Sequence, residues 1–200
     1  MTTQAATHPV EHRPAPQKRP KMIADGVLGM LIFVFTEIML FAGFISAHAI
    51  VRSQVAGEMW PPYGQPRLPV QETAVNTAAL LLSGIVLIVA QVAFKKGAVR
   101  AKVPLLIATL LGAFFVFSQG TEWTALISEG LTLTSSTYGG FFYTIVGAHA
   151  LHAIAAIGGL VWAFYELHEN RLTSAKLGTV AVFWYFVVLV WPVLYVKVYL

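Results

Sequence analysis

Among the polar side chains within long apolar stretches of this 200-residue sequence, five are candidates for chemistry: Glu37, Gln119, Glu122, His149 and His152. Carboxylates and imidazoles are the groups that most often transfer protons or ligate metals in proteins. At membrane depth such a group is costly unless it is paired or neutral. Each of these side chains is therefore expected to have a partner or a function.

Glu37 lies 11 residues after Gly26, roughly 16 Å into its apolar stretch at 1.5 Å per residue. Glu37, Phe41, Phe44 and His48 recur at helical spacing, so Glu37 and His48 share a face but are about three turns apart. One interpretation is a carboxyl on or near a proton path, kept protonated because desolvation disfavours its charged form. The other is a carboxyl hydrogen-bonded to a neighbouring helix for structural specificity.

His149 and His152 are three residues apart and share a helix face. His149 lies ten residues after Gly139, roughly 15 Å deep and level with Glu37. A haem or metal site needs further ligands at matching depth. The remaining histidines lie in the N-terminal tail or near the ends of apolar stretches: His8, His12, His48 and His168. The sequence thus predicts no metal bound by this chain, and interhelical hydrogen bonds with Glu37 as a candidate partner for one histidine.

Gln119 and Glu122 are also three residues apart, towards the end of their apolar stretch. They are either an interfacial acid and amide within reach of water, or a second proton-linked pair. Ala156 and Gly159 continue the stripe of His149 and His152. Small and polar residues in one stripe are typical of close helix contact in lipid.

The composition indicates a chain that lies mostly in lipid. It is 57% hydrophobic and 11% charged, whereas a soluble domain carries roughly 25% charged residues. The mean hydropathy is +0.71, and the sequence has no Cys, which excludes disulfides and thiolate sites. No nucleophile triad, phosphate-binding glycine loop or paired-carboxylate site is present in the sequence. The basic residues stand in short clusters beside apolar stretches, which favours membrane orientation over nucleic-acid binding.

Five apolar stretches each reach or approach the roughly 20 residues that cross a bilayer. They lie at about 24–51, 74–94, 103–123, 139–167 and 178–199. Because backbone polar groups must be paired within hydrocarbon, and because the stretches are apolar all round, they are predicted to be helices. The predicted fold is an all-α integral membrane protein, a bundle of five transmembrane helices over 23–200 that follows a polar, flexible cytoplasmic tail over 1–22.

The distribution of Lys and Arg predicts a cytoplasmic N-terminus and a periplasmic C-terminus. With that orientation ten basic residues face inwards: Arg13, Lys18, Arg19, Lys21, Lys95, Lys96, Arg100, Lys102, Arg171 and Lys176. Three face outwards: Arg52, Arg67 and Lys197. The cluster of Lys95, Lys96, Arg100 and Lys102, with Arg171, is a candidate for lipid headgroups or an acidic partner surface. Its alternative role is orientation alone. Trp60, Trp123 and Trp184 are expected to be interfacial anchors.

Several motifs, in order, resemble subunit III of cytochrome c and quinol oxidases. The motifs are Phe35-Thr36-Glu37 with Leu40-Phe41-Ala42-Gly43-Phe44, Trp60-Pro61-Pro62-Tyr63-Gly64, Asn76-Thr77 with Leu80-Leu81-Leu82-Ser83-Gly84, Gln119 with Glu122, Phe141-Phe142-Tyr143 with Gly147-Ala148-His149-Ala150-Leu151-His152, and Phe183-Trp184-Tyr185-Phe186 with Val190-Trp191. The resemblance covers nearly the whole chain after the tail. It is to the five-helix bacterial form, which lacks two helices that many members have before the glutamate helix. In the last helix the chain departs from the family, with Tyr185 where a histidine is usual and Val188 where an aspartate is usual.

The resemblance implies a non-catalytic core subunit that holds no haem or copper. Both cofactors are expected in the catalytic subunit I, against which this chain would pack. Subunit II is the second expected partner. Family members bind structural phospholipids and support stability and proton uptake of the terminal oxidase in the aerobic respiratory chain. The expected location is the bacterial inner (plasma) membrane.

Three alternatives stay open from the sequence. The chain resembles relatives attached to nitric oxide reductases as well as oxidase subunits. An independent proton or ion carrier would use Glu37. The sequence offers one acid at mid-membrane and no evident inverted repeat, which is weak support for a transporter. A haem-bearing anchor would need axial ligands that this sequence barely supplies.

Overall fold

A computed structural model of the chain describes residues 23–54 and 66–200 as an all-helical bundle. The helices are α1 (Asp25–Gln54), α2 (Val70–Lys95), α3 (Ala98–Ser128), α4 (Thr137–His168) and α5 (Ser174–Leu194), followed by a π-helical turn at Tyr195–Tyr199. The predicted tail over 1–22 and the motif at Trp60–Gly64 lie outside the described residues. Hereafter the Asp25 end is the end of the bundle where α1 begins, and the Gln54 end is where α1 finishes.

All five helices are long and apolar enough to cross a membrane, which confirms the five predicted stretches. The helices extend beyond those stretches, and α3 does so most, running from 98 to 128 where 103–123 was expected. Polar residues such as Arg100 and Thr124 continue the helix because their backbone hydrogen bonds do not depend on an apolar side chain. Hydropathy therefore marks the part of each helix in hydrocarbon, not where the helix begins and ends.

The turns at the Asp25 end are short and depend on particular residues. Gly97 separates α2 from α3 with φ 143°, a backbone conformation that favours glycine. Asn170 lies between α4 and α5 with φ 57°, in the left-handed region that Asn tolerates. Thr173 caps α5 by accepting a hydrogen bond from the Lys176 amide at 3.2 Å. These turns make α2 and α3, and likewise α4 and α5, antiparallel neighbours.

Helix α5 is central, whereas α1 is peripheral. Helix α5 contacts α1, α2 and α4, and α3 packs on α2 and α4. Helix α1 packs against α5 and, to a lesser extent, α4. Its buried residues are Phe41 and His48, both on the face that carries Glu37. Most of the apolar surface of α1 is therefore left uncovered by the described part of the chain.

A series of hydrogen bonds joins α2 to α5. The indoles of Trp184 and Trp191 donate to Ser83 Oγ at 3.2 Å and to Thr77 Oγ1 at 2.8 Å. The Tyr185 hydroxyl donates to Gln91 Oε1 at 2.6 Å. Pairing of this kind stabilises helix association in lipid, where hydrophobicity gives little drive.

The structure corrects the expectation for Trp184 and shows what Tyr185 and Val188 contact. Trp184 is not an interfacial anchor, because it is 0% exposed and lies in the core. Tyr185 makes a polar interhelical contact at the position where the resemblance led us to expect a histidine. Val188 packs against Gly84, where a β-carbon would lie 3.1 Å from Val188 Cγ1.

Candidate functional site

The pair of Glu37 and His152 joins α1 to α4 in the interior of the bundle. Glu37 Oε2 lies 2.9 Å from His152 Nε2. Both side chains are mostly buried, at 15% and 17% exposure. Glu37 lies 12 residues from the Asp25 end of α1, and His152 lies 16 residues from the same end of α4, roughly 18 and 24 Å along the helices. The expected pairing of Glu37 with one of the two histidines is confirmed, and His152 is that histidine.

The second nitrogen of His152 determines which protons the pair can hold. Nδ1 lies 2.7 Å from the Ala148 carbonyl oxygen. A carbonyl only accepts, so Nδ1 carries a hydrogen and donates it. Nε2 then either accepts a hydrogen bond from a protonated Glu37 or, in an imidazolium, donates to a Glu37 carboxylate. Both arrangements have zero net charge, which lowers the cost of placing the pair in hydrocarbon.

Aromatic rings surround this pair. The rings of Phe41, Phe183 and Phe186 lie 5.5, 6.1 and 6.0 Å from the His152 ring, each at an edge-on angle. Phe41 comes from α1 and the other two from α5, so three helices enclose the imidazole. The imidazole therefore lies in a largely apolar environment formed by three helices.

His149 shares the α4 face but has different neighbours. It is 1% exposed and packs against Phe41, Phe115 and Trp191, with ring centroids 6.3, 6.2 and 4.9 Å away. Its Nε2 has no hydrogen-bond partner among the described residues. His149 and His152 are thus not a matched pair of ligands, and Phe41 contacts both.

A second polar cluster joins α2 to α3 near the Gln54 end. Asn76 Nδ2 donates to Glu122 Oε1 at 2.6 Å, and Gln119 Nε2 donates to Glu122 Oε2. The Thr73 hydroxyl lies 2.9 Å from Glu122 Oε2 and 2.8 Å from the Pro69 carbonyl oxygen. The structure brings Gln119 and Glu122 together as their spacing predicts.

Thr73 and Asn76 were not singled out from the sequence as members of a site. The signal was the spacing of Thr73, Asn76 and Thr77, which places polar side chains on one face of α2. Glu122 also lines a cleft of about 330 Å³ with Arg67, Glu72 and Glu129, so one side of the cluster faces the Gln54 end.

The basic candidates lie at the Asp25 end. Lys95, Lys96 and Arg100 are exposed around the α2–α3 turn, and Lys102 is partly buried one turn into α3. Arg171 is mostly exposed, with its Nε 3.8 Å from Glu166 Oε1 and its guanidinium over the Tyr165 ring. The structure therefore separates the α2–α3 cluster, which is open, from Arg171, which is partly engaged.

Glu166 was missed in the sequence because it stands at the edge of an apolar stretch. It is 8% exposed and is paired with the Lys176 ammonium, which also lies over the Trp162 ring. Glu166 and Lys176 are ten residues apart on either side of a turn, and helical spacing does not predict a contact between them. Only the folded α4–α5 turn shows the pair.

Ligands for a metal do not converge in the described ranges 23–54 and 66–200. Within them no three His, Asp or Glu side chains form a group that could hold a metal ion. Glu37 and His152 could supply two metal ligands, but they are hydrogen-bonded to each other, and His149 supplies no third ligand at the same point. What the arrangement can do is hold or pass a proton at mid-depth.

Within residues 23–54 and 66–200, five membrane-length helices joined by polar pairs define a multi-pass helical membrane protein. Comparison with known proteins gives the family. The family model for cytochrome c oxidase subunit III matches residues 16–200. The chain therefore belongs to the cytochrome c oxidase subunit III family, as its motifs indicated.

Individual relatives agree with this membership. A Nocardia farcinica protein named probable cytochrome c oxidase subunit 3 is 32% identical, over 100% of this chain and 98% of its own length. A protein of the same name from Mycobacterium leprae is 30% identical, over 90% of this chain and 89% of its own length. Cytochrome c oxidase subunit 3 of Bos taurus is 30% identical over 94% of this chain, which covers 72% of the longer bovine protein.

Proposed function

We propose that this chain is the non-catalytic third core subunit of a haem-copper terminal oxidase in a bacterial plasma membrane. The observation that carries the proposal is the family match over residues 16–200. Haem and copper would reside in the partner subunit I, and subunit II would complete the core. The role of this chain is to bind phospholipid, to stabilise the catalytic subunit and to support its proton uptake.

The exposed face of α1 supports contact with other membrane components. Exposed apolar residues along α1 include Ile32, Phe35 and Met39, each more than half exposed. The groove between α1 and α5 has a volume of about 510 Å³ and an apolar lining. A groove of this character suits a lipid acyl chain. The exposed lysines of the α2–α3 turn suit anionic lipid headgroups at the Asp25 end of the bundle.

The Glu37–His152 pair supports a link to proton uptake. It holds one mobile proton between two groups at mid-depth, with either arrangement electrically neutral. A proton can therefore shift within the pair without creating net charge in hydrocarbon. This property suits a pair that takes up one proton as it releases another, and it supports the proposed link to proton uptake.

Purification of the tagged chain from its native membrane tests the proposal. A haem-containing subunit that reduces O₂ should co-purify, whereas the chain separated from its companions should show no Soret absorption. A companion complex that reduces nitric oxide instead of O₂ would assign the chain to the other branch. A Soret band from the separated chain, or proton flux through it alone in liposomes, would contradict the accessory role.

A further inference from the structure

A cavity between α3, α4 and α5 contains polar atoms that the bundle itself does not pair. The cavity, called here the His149 cavity, has a volume of about 150 Å³. Gln119, Trp123 and His149 all line it. Gln119 Oε1, Trp123 Nε1 and His149 Nε2 are buried and have no hydrogen-bond partner among residues 23–54 and 66–200. Buried polar groups are normally hydrogen-bonded, so three in one wall point to a ligand.

The chemistry of the three atoms limits the ligand. The indole N–H of Trp123 only donates, the Gln119 carbonyl oxygen only accepts, and the imidazole nitrogen of His149 does either. The other side of the Gln119 amide is already used, because its Nε2 donates to Glu122. A ligand that pairs all three atoms must both donate and accept hydrogen bonds.

The size and lining of the cavity narrow the choice further. The remaining wall includes Phe115, Val146 and Trp191, so the ligand has polar contacts at a few points only. Water occupies roughly 30 Å³ per molecule in the liquid and is retained in proteins where it finds two to four polar partners. An acyl chain would leave all three atoms unpaired, and an ionised phosphodiester group only accepts hydrogen bonds, so it could not pair Gln119 Oε1.

We propose that the His149 cavity binds a small cluster of water molecules that bridges Trp123, Gln119 and His149. The cluster extends the Glu122 network, which joins α2 and α3, to an imidazole on α4. Glu122 lines the cleft that opens at the Gln54 end, so the network gives His149 a hydrogen-bonded connection towards that end. The site does not depend on the oxidase role of the chain.

Magic-angle-spinning NMR of the ¹⁵N-labelled full-length chain, with its companion subunits in lipid bilayers, tests the site. Magnetisation transferred from water should reach the Trp123 indole nitrogen and the His149 imidazole. The indole of Trp184 is the internal control, because it donates to Ser83, does not line the cavity and should receive none. Transfer from lipid-chain protons to Trp123 and His149, or no transfer from water, would overturn the proposal.

A variant that fills the cavity tests the location of the water. Ala150 lines the cavity, so Ala150→Leu should abolish water transfer to Trp123 and His149. Ala155→Leu is the matched control, since Ala155 is exposed on the same helix outside the cavity. Gly120→Val is a second filling variant should Ala150→Leu not fold, because a β-carbon at Gly120 meets no atom within 4 Å. Unchanged transfer in a folded filling variant would contradict the proposed site.

Discussion

At the scale of single residues, the pair of Glu37 and His152 shows how a carboxyl is accommodated in a membrane helix. The Ala148 carbonyl fixes the hydrogen on His152 Nδ1, which leaves Nε2 to share one proton with Glu37. The pair is neutral wherever that proton lies. Removing the proton altogether would place two acceptors 2.9 Å apart, and the helices then lose their polar connection.

The first prediction concerns Glu37→Gln. The Gln amide N–H can donate to His152 Nε2, so the variant should still assemble, and its yield with companion subunits should match the wild type. Glu37→Leu leaves Nε2 without a partner, and we expect a loss of about 1 kcal/mol in stability, typical of an interhelical hydrogen bond in lipid. Failure of Glu37→Gln to assemble while Glu37→Asp is tolerated would show that the carboxyl must be ionised.

Glu122 gives a second prediction at this scale. Leu at this position would leave the amide donors of Asn76 and Gln119 unpaired between α2 and α3. Glu122→Leu should therefore lower the free energy of unfolding by about 1–3 kcal/mol, measured from thermal or denaturant unfolding in detergent. Glu129→Leu is the control, because Glu129 is exposed just after α3. Equal losses in both variants would contradict a structural role for the Glu122 cluster.

At the scale of helices, the number and type of elements followed from the sequence because about 20 apolar residues in succession have one stable form in lipid. The partners within the bundle did not follow. Depth alone made His149 and His152 equally good candidates for Glu37, and the choice depends on how α1 and α4 cross. Likewise Trp is a common residue type among interfacial anchors, and only the contacts of Trp184 with Ser83 and Gly112 show that it is a core residue.

A prediction for helix packing follows from Gly112 in α3. A β-carbon there would lie 2.5 and 2.7 Å from Trp184 Cη2 and Cζ2. The Trp184 ring would have to move, and its hydrogen bond to Ser83 would be strained or broken. Gly112→Ala should destabilise the bundle by about 1–3 kcal/mol in unfolding measurements. Gly158→Ala should show no loss, because a β-carbon at Gly158 meets nothing within 4 Å; a similar loss there would refute the packing explanation.

At the scale of the whole molecule, the orientation predicted from the distribution of Lys and Arg can be tested by labelling introduced cysteines. Because the sequence has no Cys, single cysteines can be introduced without background labelling. Lys96 and Glu129 are both exposed at opposite ends of the bundle. A membrane-impermeant maleimide applied to intact cells should label Glu129→Cys and not Lys96→Cys. The reverse pattern would show that the N-terminus lies outside.

The distance between Glu37 and His152 along the chain has a consequence for biosynthesis. The two residues are 115 positions apart, so at roughly 5–20 residues per second the ribosome makes His152 some 6 to 23 seconds after Glu37. During that interval the Glu37 carboxyl lacks its partner on α4. A chain that ends before α4 would therefore carry an acid at membrane depth without its partner, and insertion of α1 alone should be less favourable than insertion of α1 with α4.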